Sequence, residues 1–282
     1  MIYLLYNPKA NNGKAKDDLG KIPDRFLKDS VKMDVLKIKD YNALLDELKK
    51  DDIIVLAGGD GTLCHFINDV DTKTLKNDVY FYGIGTGNDF LNDINKSSCK
   101  EPVLINEYIR SLPTAWINGK EYRFINDIGF GMDGYCCEEG DKHRAVSDKP
   151  VNYTTIAIKG LLYKFKRRSA KVTVDGVTKH YSNVILAPSM MGRFYGGGMM
   201  IAPSQDRLNK EHLLTNVVLY TKRRLSLLPI FSTVFKGKHI KYHKIFDFRT
   251  GHEITVEFDS PCALQIDGET VLNVTKYTVK YE

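Results

Sequence analysis

The first third of the chain alternates short apolar runs with mixed, amphipathic ones. Residues 2–6 (IYLLY), 31–38 (VKMDVLKI), 52–57 (DIIVLA) and 79–84 (VYFYGI) are apolar or β-branched over strand-length stretches and read as strands. Between them, residues 14–28, 41–50 and 61–69 read as helices. This alternation predicts an α/β domain built on a parallel sheet with crossover helices. Ligands in such sheets bind beyond the carboxyl ends of the strands. Three polar, glycine-bearing loops fall there: NPKANNG, GGDGT and GTGND.

After PTAWING (113–119) the pattern changes. Residues 122–130, 169–175, 181–187, 213–221, 253–258, 262–266 and 270–281 read as strands set between turn signals, which predicts a β-rich, β-sandwich-like second domain. The expected division is 1–115 and 116–282. Two helices interrupt the second part, over 152–166 and 223–238. The latter holds eleven uncharged residues, 225–235, between basic clusters. Eleven residues do not span a bilayer, leaving a core helix kinked at Pro229 or an interfacial contact.

Charge sharpens this division. Of the net +6, residues 1–115 contribute 16 Lys+Arg against 18 Asp+Glu, and residues 116–282 contribute 25 against 17. The excess gathers in KFKRR (164–168), KRR (222–224) and KGKHIKYHK (236–244), which suits an anionic surface as well as ordinary solvation. The five cysteines, Cys64, Cys99, Cys136, Cys137 and Cys262, contain no CxxC, so neither a zinc site nor a disulfide framework is indicated. The first ten residues lack the basic leader of a signal peptide, and the expected location is the cytoplasm.

Familiar phosphate motifs are absent. Gly13-Lys14 is followed by Ala15, so there is no P-loop, and HRAVSD (143–148) lacks the catalytic Asp of protein kinases. GFGMDG (129–134) matches G-x-G-x-x-G without the βαβ setting that gives the pattern meaning. GGDGT (58–62) serves phosphate differently. Its glycines let backbone N–H groups approach phosphate oxygens, the following helix adds positive potential, and Asp60 faces a Mg²⁺ carried by those phosphates. The alternative is a strand–turn–helix corner with Asp60 as a cap.

Five segments recur in order along nearly the whole chain: YNPKANNGK (6–14), GGDGTL (58–63), GTGNDF (85–90), FINDIGFGMDG (124–134) and LQIDGE (264–269). Together they resemble the diacylglycerol kinase catalytic family of lipid kinases, which includes bacterial lipid kinases and the sphingosine kinases. GGDGT alone is shared with NAD kinases and 6-phosphofructokinases. The resemblance implies an N-terminal nucleotide-binding domain, a C-terminal β-sandwich and an ATP–Mg²⁺ site in a cleft between them. By position it implies that Asn7, Gly58, Gly59, Gly61, Thr62, Thr86, Gly87 and Asn88 bind ATP, with Glu269 near the nucleotide. Asp60 then faces the metal, Asp89 lies close to the phosphates or acceptor, and Asp267 is the general base. Each has a plainer alternative, since Asn88-Asp89-Phe90 also suits a helix start and Asp267-Gly268 a hairpin turn.

One segment departs from the pattern. After GGGMMIAP (196–203) the family carries paired acids and a glycine associated with a structural Mg²⁺, whereas this chain reads SQDRLNKEHLL (204–214). Asp206 or Asn209 then replaces those ligands, or the site is lost. The function expected from the resemblance is ATP-dependent phosphorylation of a lipid hydroxyl, with diacylglycerol the leading acceptor. NAD kinase and a non-catalytic nucleotide or lipid sensor are the alternatives. The expected partners are a membrane lipid substrate and an anionic membrane surface, with no nucleic acid and peripheral membrane association. A homodimer is left open.

Overall fold

The structure, a computed structural model, describes residues 1–282 other than Lys14, Thr86, Cys99 and Asp148, and no side chain at 12, 13 or 16. It divides into two compact units, Met1–Leu112 and Pro113–Glu282, a break just ahead of the expected 115/116.

In the first unit, β1 (Ile2–Tyr6), β2 (Val31–Asp34), β3 (Ile53–Gly58), β4 (Asp78–Gly83) and β5 (Val103–Leu104) form one sheet in the order β2-β1-β3-β4-β5. All neighbours are parallel except the short edge pair β4 and β5. Central β3 is buried from Ile54 to Gly58, as a strand covered on both faces requires. The strand order reverses direction between β1 and β3. Crevices of this kind hold ligands in open α/β sheets.

The helices are shorter than periodicity predicts. Residues 14–28 contain two pieces, α1 (Ala15–Leu19) and α2 (Asp24–Leu27), because Gly20 and Pro23 interrupt the run. Strand 31–38 ends at Asp34, whose carboxylate accepts from Leu36 N and opens a 3₁₀ turn. Helix α3 (Tyr41–Asp46) is capped by Asp40, and α4 (Asp60–Asp69) buries Leu63, Phe66 and Ile67. Two helices follow, α5 (Asp89–Asp93) and α6 (Asn106–Ile109). Phe90 fixes α5, meeting Phe81 of β4 at 5.9 Å and Tyr108 of α6 at 5.7 Å in edge-on pairs.

The second unit is β-rich. Its strands are β6 (Pro113–Ile117), β7 (Lys120–Arg123), β8 (Asp127–Gly131), β9 (Arg168–Val174), β10 (Val177–Met190), β11 (Phe194–Tyr195), β12 (Met199–Met200), β13 (Leu214–Tyr220), β14 (Phe246–Gly251), β15 (Glu253–Ile266) and β16 (Glu269–Tyr281). All but β11 and β12 join one sheet, β14-β13-β10-β8-β15-β16-β6-β7, with β9 also bridging β10 and β15. Bulges in β10 and β15 mark where each long strand changes partner from β9 to β8. The expected strands 253–258 and 262–266 are therefore one bent strand, while 122–130 is two. Phe130 anchors the core against Phe258 at 4.6 Å and Tyr277 at 5.3 Å.

Among the described residues three α-helices belong to this unit. The longest, α7 (Met132–Val146), follows β8 directly and lies where no helix is expected. Helix α8 (Tyr153–Lys159) runs into a π-helical turn at Gly160–Lys164. Helix α9 (Leu228–Val234) starts beside Pro229, so the proline sits in the first turn, where it is tolerated, rather than inside one helix over 223–238 as expected. Among the described residues no helix is long and apolar enough to cross a membrane.

Candidate active site

In the first unit the ends of β1, β3 and β4 are tied together by their own loop residues. Asn7, just past β1, donates Nδ2 to Thr62 Oγ1 at 3.0 Å and accepts from Lys9 N at 2.9 Å. Gly58 at the end of β3 accepts from Ile84 N at 2.7 Å. A Cβ on Gly58 falls 2.3 Å from Thr62 Oγ1, so only glycine lets this turn close. Gly59 begins α4 with no side-chain cap.

Asp60 reaches across to the third loop. Its carboxylate accepts from Asp89 N at 2.8 Å and Phe90 N at 3.2 Å, capping α5. Asn88, at the cap position itself, is left-handed (φ 44°) and makes no cap with its side chain. Its Nδ2 donates to Gly85 O at 3.1 Å, while its buried Oδ1 has no hydrogen-bond partner among the described residues. Asn92 donates to Gly87 O at 2.9 Å. The structure thus brings Asn7, Gly58, Gly59, Asp60, Gly61, Thr62, Gly87, Asn88 and Asp89 into one loop cluster, with Asp89 buried. Thr86 lies outside the described residues.

Asp267 and Glu269 belong to the second unit. Asp267 (φ 46°) and Gly268 (φ 90°) form the two-residue turn between β15 and β16, with Ile266 paired to Glu269. The buried Asp267 carboxylate accepts from Ile125 N at 2.7 Å, Asn126 N at 2.8 Å and Asp127 N at 3.1 Å. It is a clamp on the 125–127 loop. Glu269 is exposed.

The same loop is held from the other side by a cation. Arg207, 6% exposed, donates to Ile125 O at 3.0 Å and Asn126 Oδ1 at 3.1 Å. Asp206 and Asn209 build the local turn: Asp206 Oδ1 accepts from Leu208 N, and Asn209 exchanges hydrogen bonds with Leu213.

Sequence reasoning passed over Asp133. It stands in the first turn of α7, where Oδ1 accepts from Gly134 N at 3.0 Å and Oδ2 is buried without a hydrogen-bond partner among the described residues. Gly129 makes room for it, since a Cβ there falls 2.4 Å from Oδ2. Burial pushes this carboxyl up to about 7, against smaller opposing effects of the Gly134 N–H and of Gln265. Gln265 also donates to Asp127, so three polar side chains share the space behind the loop. The available signal was GFGMDG, where a carboxylate follows a fully buried strand.

An apolar cavity of about 180 Å³ lies in the same unit. Met132, Leu161, Ile185, Ile201, Ile230 and Phe246 are among its lining residues, and among the described residues no charged side chain borders it.

The matches to known proteins follow this division. Residues 1–113 match the Diacylglycerol kinase catalytic domain, and residues 126–279 match the YegS C-terminal NAD kinase beta sandwich-like domain. The chain belongs to the diacylglycerol kinase family. A diacylglycerol kinase of Mycobacterium tuberculosis is 24% identical over 208 residues, 70% of this chain and 64% of that relative's length. The crystal structure of a diacylglycerol kinase from Bacillus anthracis superposes with a TM-score of 0.64 at 18% identity, covering 99% of this chain and 93% of the other. That likeness is one of fold.

In this member of the diacylglycerol kinase family the first-unit cluster suits a nucleotide triphosphate. The Gly58 turn has no room for a Cβ, and α4 starts without a side-chain cap, which leaves its first backbone N–H groups to an anion. For Mg²⁺ the donor set suits an ion brought by the phosphates, which needs only one or two protein carboxylates. Among the described residues no group of three or more His, Cys, Asp or Glu side chains could hold a metal. The structural Mg²⁺ implied for the 204–214 segment does not fit: Asp206 Oδ1 and both amide atoms of Asn209 are committed to the local turn, and the Arg207 guanidinium is spent on the 125–126 loop.

Proposed function

We propose that this protein is an ATP-dependent lipid kinase that transfers the γ-phosphoryl group to a lipid hydroxyl, with diacylglycerol the leading acceptor. The observation that carries this reading is the apolar cavity in the second unit of a chain from this family. It suits hydrocarbon, since its lining is apolar side chains without a charge, and it offers nothing to the sugars and phosphates of NAD.

Phosphoryl transfer asks a protein mainly for positioning and for electrostatic neutralisation. Asn7, Thr62, Asn88 and the glycines 58, 59, 61 and 87 hold the nucleotide in this reading, together with Thr86. Mg²⁺, when bound with ATP, neutralises the charge of the transferring phosphate. Asp60 keeps the two phosphate loops in register and faces the ion; Asp89 sits where Asp60 anchors it. Asp267 orients the acceptor hydroxyl and receives its proton. Its three backbone N–H bonds hold the carboxylate in place, and fixed geometry is what a loose transition state requires.

The test is incubation with labelled ATP and Mg²⁺ against a lipid panel and NAD. Label in dioctanoylglycerol supports the reading. Label in NAD alone, or ATP binding with no acceptor labelled, replaces it with the NAD kinase or the sensor alternative.

A further inference from the structure

Two stretches of the second unit, residues 152–168 and 222–244, lie side by side. Arg224 donates to Phe165 O at 2.6 Å, and Arg167 donates to Thr221 O and Lys222 O at 2.9 Å each. Both stretches line the apolar cavity, the first through Ala157, Ile158 and Leu161, the second through Leu228, Ile230 and Phe231. The first carries the π-helical turn, closed by Phe165 N to Gly160 O at 3.0 Å; such turns recur at functional sites.

Their outward chemistry is unusual for a solvated surface. Among the described residues, eight of the sixteen large exposed apolar side chains fall in these 40 of 282 residues: Tyr153, Ile158, Leu162, Tyr163, Leu225, Leu228, Phe235 and Ile240. Leu225 is 69% exposed and Tyr163 63%. The same stretches hold twelve Lys and Arg and no Asp or Glu. The helical segment 224–235, α9 with the 3₁₀ turn that leads into it, explains the arrangement, since Leu227, Ile230 and Val234 are spent on the core while Leu225, Leu228 and Phe235 remain outside. A helix apolar on the side away from its own core has a second apolar environment to meet. Ile158 and Leu228 both line the cavity and are exposed, so the cavity reaches the surface within this patch.

We infer that residues 152–168 and 222–244 form one docking face for anionic bilayers, set around the mouth of the apolar cavity. Apolar side chains enter the headgroup boundary and the basic ring meets the lipid phosphates. Nucleic acid accounts for the charge but leaves the exposed leucines, isoleucines and phenylalanine in water. A neutral apolar partner leaves this positive charge without a counter-charge, since these stretches carry no Asp or Glu. The bilayer satisfies both, and it presents a lipid acceptor at the cavity without a passage through water. The meaning given to the cavity rests on the lipid-kinase reading; the docking itself does not.

The experiment uses the full chain and sedimentation with vesicles of phosphatidylcholine and phosphatidylglycerol at about 70:30, compared with pure phosphatidylcholine. Binding is expected to require phosphatidylglycerol and to weaken in high salt. Lys236→Glu with Lys238→Glu is expected to lower partitioning at least about 20-fold, because each basic residue near such a surface is worth roughly fivefold. Leu225→Ser with Phe235→Ser is expected to lower it about 10-fold through lost apolar burial. Turnover of monomeric dihexanoylglycerol is expected to stay within about twofold for both variants, since neither pair lines the cavity. Equal sedimentation with and without phosphatidylglycerol, no loss in either variant, or binding to duplex DNA but not to vesicles would overturn the inference. Vesicle binding without phosphorylation of any acceptor would keep the docking face and remove the kinase reading; turnover of dihexanoylglycerol without vesicle binding would do the reverse.

Discussion

Asp133 makes the stability of the second unit depend on pH in a direction opposite to that of most carboxylates. Its carboxyl is pushed up to about 7 because burial penalises the charged form. In the unfolded chain it titrates at about 4. Between about pH 4 and pH 7 the native state therefore holds a proton that the unfolded chain has released, and stability falls as pH rises through that window. The slope is about 1.4 kcal/mol per pH unit, so roughly 2–3 kcal/mol is lost between pH 5 and pH 7, with little further change above it. Asp133→Asn removes the titration while keeping an acceptor for Gly134 N. The only tryptophan, Trp116, lies in β6 of the same unit and reports its unfolding. Urea titrations followed by its fluorescence at about pH 5 and pH 8 give the difference between wild type and variant, in which other groups cancel. That difference is expected to move in favour of the variant by roughly 2–3 kcal/mol from pH 5 to pH 8. A difference that stays constant would mean that Asp133 ionises at an ordinary pKa and that the sealed Oδ2 has no energetic consequence.

Other residues give sharper local tests. Asp60→Ala is expected to abolish most Mg²⁺-dependent ATP binding, measured by calorimetry, and separately to cost about 1 kcal/mol through the lost cap on α5; unchanged ATP affinity would leave Asp60 a cap alone. Gly58→Ala drives a methyl into Thr62 and is expected to destabilise the first unit by about 1–3 kcal/mol in thermal unfolding, with weaker ATP binding. Asp267→Asn is expected to lower kcat by about 10²–10⁴-fold with ATP affinity nearly intact; unfolding seen by circular dichroism would assign Asp267 to the clamp only. Arg207→Met leaves two buried acceptors on the 125–126 loop and is expected to cost roughly 2–4 kcal/mol, whereas a chelator added to wild type without nucleotide is expected to leave the melting temperature unchanged.

Much of the fold was legible because period and punctuation agree in it. The β1 run IYLLY and the apolar stretch leading into GGDGT are strands with the expected bounds or within one residue of them. Helix α7 was illegible for a definite reason: the buried positions it contributes are Gly134 and Gly140. Gly134 packs on the Ala263 backbone and Gly140 under the Tyr153 ring, so the helix approaches by lacking side chains and leaves no apolar stripe to read. Residues 259–261, Asp-Ser-Pro, look like a turn between strands, yet they sit at a bulge where Asp259 accepts from Ser169 N.

By itself the sequence determined the two-part organisation, the phosphate-type loops at strand ends and the basic character of the second half, because local pattern, glycine placement and charge are properties of neighbouring residues. Tertiary structure alone decided what the carboxylates hold. Asp60 caps a helix 29 residues away, Asp267 clamps a loop some 140 residues away, and Arg207 stands opposite it on that loop. It also decided which face of α9 is spent on the core and which meets the outside. Such pairings depend on strand order and register, and a one-dimensional pattern carries no information on which distant backbone N–H a buried carboxylate will find.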